Sequence, residues 1–133
     1  MKVCLDTNVL ISAVATRGLA ADVFRVVLAE HELLVPELVL TEVERVLSKK
    51  LRVPPAVSSA VLQLLQSQTV VPTPSEPLSL KIRDPDDAWV LASAVAGGAN
   101  VLVTGDDDLL SLGKAAPLPI LSPRGFWEQL RDT

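Results

Sequence analysis

The sequence predicts an α/β fold of three layers, with helices on both faces of a central, mainly parallel sheet of four to five short strands. Three observations predict it. Brief apolar runs such as KVCL (2–5), ELLVP (32–36) and NVLVT (100–104) recur along the chain. They show little apolar–polar alternation, which marks strands buried on both faces. Between them lie longer segments with apolar residues at helical spacing, the β-α alternation of a parallel sheet. Hydrophobic residues make up 49% of the 133-residue chain but aromatics only 3%, so the core must be built from Leu, Val, Ile and Ala. That length suits one domain, taken as residues 1–133.

KVCL reads as the first strand, ending at Asp6. NVLISAVAT (8–16) then reads as a helix with Thr7 or Asn8 near its cap. TRGL breaks the chain, and AADVFRVVLAE (20–30) is a second amphipathic helix. His31 follows at its exposed end. ELLVP is a strand closed by Pro36, which opens the helix PELVLTEVERVLSKK (36–50). Leu38, Val39, Val43, Val46 and Leu47 give that helix its apolar face. PPAVSSAVLQLLQSQ (54–68) is a further helix opened by proline. TVVPTPSEPLSL (69–80) holds a short strand and then a loop rich in Pro and Ser. In DPDDAWVLASAVAGGA (84–99), Asp84 fits a cap, Pro85 the first helical position and Gly97-Gly98 the stop. NVLVT is a buried strand running into GDDD. LPILSP (118–123) gives a last strand, and PRGFWEQLR (123–131) a final helix. Trp89, Phe126 and Trp127 are expected to pack in the core.

Two acidic knots, DPDD and GDDD, stand at opposite ends of the apolar unit 84–108. A helix and the strand after it run antiparallel in such a fold, so both knots should arrive at one sheet edge. Ligands bind beyond the carboxyl ends of the strands, where Asp6 and Asp106 also fall. Glu42, six residues into its helix, rises about 9 Å along the axis and stays within reach of that edge. Each acid has a plainer reading. Asp6, Asp84 and Asp106 suit helix caps, Asp84 and Asp87 suit a helix dipole, and Glu42 could simply be solvated. Their conjunction is harder to explain that way, because crowded carboxylates repel and lose hydration. A hard divalent cation resolves the conflict, and Mg²⁺ or Mn²⁺ suits oxygen ligands. Zinc does not, since Cys4 and His31 are the sole Cys and His.

The net charge is −4. Asp6, Glu42, Asp84, Asp86, Asp87, Asp106, Asp107 and Asp108 carry half of the 16 acids, and without them 12 basic residues outnumber the remaining acids. Acidity overall therefore does not exclude a nucleic acid partner. Arg17, Lys49, Lys50, Arg52 and Arg83 are candidates to guide a nucleic acid backbone, although ordinary surface charge explains each one singly. No uninterrupted apolar run is long enough for a membrane span. Asp6 interrupts the start too early for a signal peptide. A lone cysteine fits a reducing cytoplasm.

DTNVLISA at 6–13, the Glu of LTEVERVL at 42, DPDDAWVLASA at 84–94 and LVTGDDDLL at 102–110 resemble, in order and spacing, the four acidic motifs of the PIN domain. The resemblance covers essentially the whole chain and lies nearest the PIN toxins of toxin–antitoxin pairs. It implies a compact α/β fold and Mg²⁺- or Mn²⁺-dependent endoribonuclease activity. It further implies metal-binding and catalytic roles for Asp6, Glu42, Asp87 and Asp106. Asn8, Asp84 and Thr104 would support them, and Asp108 could share the part of Asp106. Single-stranded RNA would be the substrate, an antitoxin protein the partner and a homodimer the assembly. Two other readings stand beside it. A PIN-like module could bind RNA without turnover. An aspartyl-phosphate phosphatase could use Asp6 as nucleophile, but Asn8 stands where a second Asp is wanted. A response-regulator receiver lacks its phosphoacceptor in TVVPT.

Overall fold

The computed structural model describes residues 1–132. Five strands form one sheet in the order β3-β2-β1-β4-β5, every neighbouring pair parallel. They are β1 (Lys2–Leu5), β2 (Glu32–Pro36), β3 (Thr69–Val71), β4 (Val101–Val103) and β5 (Ile120–Leu121). Val3, Cys4 and Leu5 of β1, Leu33 to Pro36 of β2 and all of β4 are buried. Helices cover both faces, so these strands need no polar alternation.

Helices α1 (Thr7–Ala15) and α2 (Leu19–Glu30) join β1 to β2, and α3 (Glu37–Arg45) and α4 (Pro55–Gln66) join β2 to β3. Helix α5 (Pro85–Ala96) returns across the sheet to β4, packing on β2, β3 and β4. The short α6 (Asp107–Leu110) leads to β5, and α7 (Pro123–Arg131) packs on α2. A right-handed return crossover places α5 on the face opposite α1–α4, which gives the three layers. Phe126 of α7 is fully buried, and Trp127 is partly buried against the core. Trp89 differs from expectation: it is half-buried on α5 and stands outside the core cluster. Asp87, Val90, Leu91 and Ala94 take the inward faces of that helix instead.

The helix expected over 36–50 is α-helical only to Arg45. Val46–Lys50 continue as a wider π-helical turn, closed by Leu51 N–H donating to the Val46 carbonyl at 2.9 Å. Arg52 then adopts φ 51°, the left-handed region where a side chain is strained. At the other end of the sheet, α5 stops at Gly97-Gly98. A Cβ on Gly97 would lie 2.8 Å from Val71 Cγ2, and Gly98 has φ 75°. Glycine is therefore demanded once by close packing and once by backbone conformation. His31 is half-buried rather than exposed at the end of α2, with its Nδ1 3.2 Å from the Met1 amine.

Candidate metal centre

The chain proceeds from β1 outward to β2 and β3, then reverses to β4 and β5. A crevice opens where the order reverses, beyond the carboxyl ends of β1 and β4. A cleft of about 890 Å³ lies there. Asp6, Glu42, Asp84, Asp86, Asp87 and Asp106 all line it, as does Glu37.

Helix starts supply most of these acids. Asp6, rather than Thr7 or Asn8, caps α1, its Oδ1 accepting from Thr7 N–H at 2.8 Å. Asp84 caps α5 by accepting from Asp86 N–H at 2.9 Å, and Asp106 caps α6 by accepting from Asp108 N–H at 2.8 Å. In a parallel sheet the helices that follow strands start at the carboxyl edge. Caps and ligands thus draw on the same positions, and one side chain can serve as both. Glu37, at the start of α3, accepts from Thr73 N–H at 3.0 Å and ties the loop after β3 to the cleft rim. Sequence reading passed over Glu37, although an acid immediately after a strand-ending Pro was the available signal.

The deepest part is the most ordered. The ladder between β1 and β4 extends one step beyond the strands, Asp6 N–H donating to the Val103 carbonyl at 2.9 Å. Thr104 is fully buried. Its hydroxyl donates to Asp6 Oδ2 at 2.7 Å and accepts from Asp106 N–H at 3.0 Å. Asn8 Oδ1 accepts from Gly105 N–H at 3.2 Å, bracing the same turn from the other side. Asp6 is 6% exposed and Asp87 7%. Burial raises the Asp6 pKa most, the Thr104 and Thr7 hydrogen bonds counteract it, and Asp106 and Asp84 add repulsion. Asp87 is pushed up to about 8, chiefly by burial and then by its contact with Asp106, with Asp6 and Asp84 adding charge repulsion.

Carboxylate oxygens of Asp87, Asp106 and Asp108 lie within 4.8 Å of one another. Asp87 Oδ2 is buried without a hydrogen-bond partner, a costly state for a carboxylate unless something else satisfies it. An all-oxygen set with one orphaned oxygen fits a hard divalent cation and fits zinc poorly. Asp6 adjoins this group. Glu42 does not join it: both its oxygens face Arg45, Nη2 at 2.8 Å and Nε at 3.3 Å. Asp107 is exposed and faces no partner acid in the group.

Apolar side chains also line the cleft: Ile11, Ala15, Leu38, Val46, Leu51 and Val90. No Lys or Arg lines the cleft among the described residues. Arg17, Lys49, Lys50, Arg52 and Arg83 are exposed, and each stands outside it.

Residues 2–108 match the PIN domain family, and the chain belongs to that family of nucleases. The fold is similar to that of VapBC2 from Rickettsia felis, solved bound to a DNA fragment from its promoter. There the TM-score is 0.64 and identity 18%, over 92% of this chain and 98% of that one. It is also similar to PAE2754 from Pyrobaculum aerophilum, with a TM-score of 0.67 and 23% identity over 100% of this chain and 91% of that one. None of the curated proteins compared matches the chain.

Proposed function

We propose that this member of the PIN family is a Mg²⁺- or Mn²⁺-dependent endoribonuclease acting on single-stranded RNA, and the toxin of a toxin–antitoxin pair. The observation that carries the reading is Asp87. A buried carboxylate with an unpaired oxygen, crowded by Asp106, Asp108 and Asp6, is stable as an anion only beside a cation. Asp87, Asp106 and Asp108 would hold the ion, with Asp6 completing the set and Glu42 joining from the α3 wall. When bound, a divalent ion acidifies a water and neutralises charge on a phosphodiester.

The chain's own groups account for the rest. Thr104 fixes the oxygens of Asp6 and the turn that carries Asp106. Asn8 holds Gly105 and keeps that turn from opening. The cleft offers the backbone of RNA no cation of its own, so polyanion binding depends on the metal to offset the acids. The apolar lining suits unpaired bases, which present faces that a duplex keeps stacked.

A 5′-labelled single-stranded RNA incubated with Mg²⁺ or Mn²⁺ should be cut, and chelator should abolish the cut. Asp6→Asn should abolish it as well. Cleavage that persists in chelator, or at full rate in Asp6→Asn, overturns the reading. A non-catalytic RNA-binding module is favoured by one observation, the engagement of Glu42 by Arg45. Metal-dependent RNA binding without product would select it. An antitoxin partner is supported by the sequence resemblance and by the fold shared with VapBC2. Homodimerisation is supported by the resemblance alone.

A further inference from the structure

Glu42 is the cleft acid that stands apart, and what holds it apart is Arg45. The pair lies on the same helix three residues apart and is bidentate, yet half open to solvent, at 44% for Glu42 and 46% for Arg45. A pair so exposed is held weakly and exchanges readily. Its position is unusual in two respects. Among the described residues only two ion pairs form, and this is the one that involves an acid lining the cleft. Arg45 is also the last α-helical residue before the π turn, whose Val46 and following Leu51 face the cleft. Such wide turns recur at functional sites. Lys49, Lys50 and Arg52 follow within one short stretch, so Arg45 opens the most basic segment of the chain directly beside an apolar cleft wall.

We propose that Arg45 is an exchangeable counter-ion that becomes a substrate-phosphate ligand. In the free protein it neutralises Glu42. With Glu42 turned inward to help hold a divalent ion, the guanidinium would be free to turn to a phosphate of the RNA at the cleft mouth. Guanidinium is suited to both partners, since its planar fork matches carboxylate and phosphate alike. No bond to carbon or phosphorus is made or broken in this exchange. Arg45 thereby links occupancy of the metal centre to grip on the substrate, and it gives the cleft the cation that its lining lacks. The inference rests on the metal-dependent nuclease reading.

The test measures binding and needs no turnover. Mn²⁺ is titrated calorimetrically into the full chain, into Arg45→Gln and into Arg45→Lys. A phosphorothioate-linked single-stranded oligoribonucleotide is then followed by fluorescence anisotropy, with and without Mn²⁺, over a range of salt. Arg45→Gln should bind Mn²⁺ several-fold more tightly, because a competitor for Glu42 is gone. It should bind the oligonucleotide roughly 5- to 10-fold more weakly in Mn²⁺, with a salt slope smaller by about 0.7, the loss of one phosphate contact. Arg45→Lys should recover the slope but only part of the affinity. Unchanged oligonucleotide affinity and slope in Arg45→Gln would overturn the exchange, as would weaker Mn²⁺ binding. If the unsubstituted chain binds neither Mn²⁺ nor oligonucleotide, the nuclease reading fails first, and the two failures are told apart.

Discussion

The two walls of the cleft hold their acids in opposite ways. On the β1–β4–α5 side, Asp6 and Asp87 are buried, Thr104 bonds Asp6 and the Asp106 amide together, and the backbone ladder fixes their spacing. On the α3 side, Glu42 is half exposed and paired with a neighbour on its own helix. The first wall is preorganised at a cost: its carboxylates are held close together. The second costs almost nothing to hold and almost nothing to move. Under the metal-dependent reading, the rigid set would define where an ion sits, and Glu42 would be the acid left to adjust.

This contrast breaks most severely at Asp87. Asp87→Asn should lower metal-dependent RNA cleavage by more than about 100-fold, beyond the usual cost of disturbing a supporting residue. The same substitution should stabilise the metal-free protein. With its folded pKa raised to about 8 from an unfolded value of 3.8, Asp87 keeps its proton in the folded state over a window in which the unfolded chain has lost it. Stability is then greatest below the unfolded value and declines as pH rises toward about 8. Thermal melts in chelator should show the unsubstituted protein losing several degrees between pH 5 and pH 8, and Asp87→Asn losing less. Equal slopes in the two proteins would show that burial of this carboxylate is not what strains the wall.

Thr104→Val tests the scaffold rather than the ligands. It leaves Asp6 Oδ2 and the Asp106 amide without their shared partner, so it should destabilise the protein by about 1–3 kcal/mol. Metal affinity should drop roughly 10- to 100-fold, as for other residues that orient ligands. Denaturant melts and Mn²⁺ calorimetry measure the two effects separately. Glu42→Gln should do least. An exposed helical pair contributes little, so the melting temperature should barely move while cleavage declines roughly 10-fold. A large stability loss in Glu42→Gln would erase the distinction between the walls.

The rigid wall was also the more legible one. KVCL and NVLVT announce buried parallel strands, and acids placed just beyond strand ends must fall on the carboxyl edge. That logic places Asp6, Asp84, Asp87 and Asp106 at the carboxyl edge, where all four line the cleft, and the plainer capping reading of Asp6, Asp84 and Asp106 holds as well. The two are not rivals, because a helix start at this edge is both a cap and a cleft wall. The α3 side was harder to read. The Glu42–Arg45 spacing was visible and suits an i,i+3 pair, but a side chain's choice between a neighbouring guanidinium and a distant acid cluster depends on packing. The π turn at Val46–Lys50 has no sequence signature, since Leu47 maintains the apolar period straight through it. Trp89 went astray because aromatic character suggested burial, while Val90 and Leu91 already filled the inward faces of α5.

The hydrogen bond from the Asp6 amide to the Val103 carbonyl has a consequence for the loops. It makes the alignment of β1 with β4 the ruler that sets Asp6 against Thr104. Residues 97–100 contain no acid, yet shortening that turn by one residue would slide β4 by a step. Thr104 would then face the other side of the sheet, and the centre would be dismantled by a deletion on the far edge of the molecule.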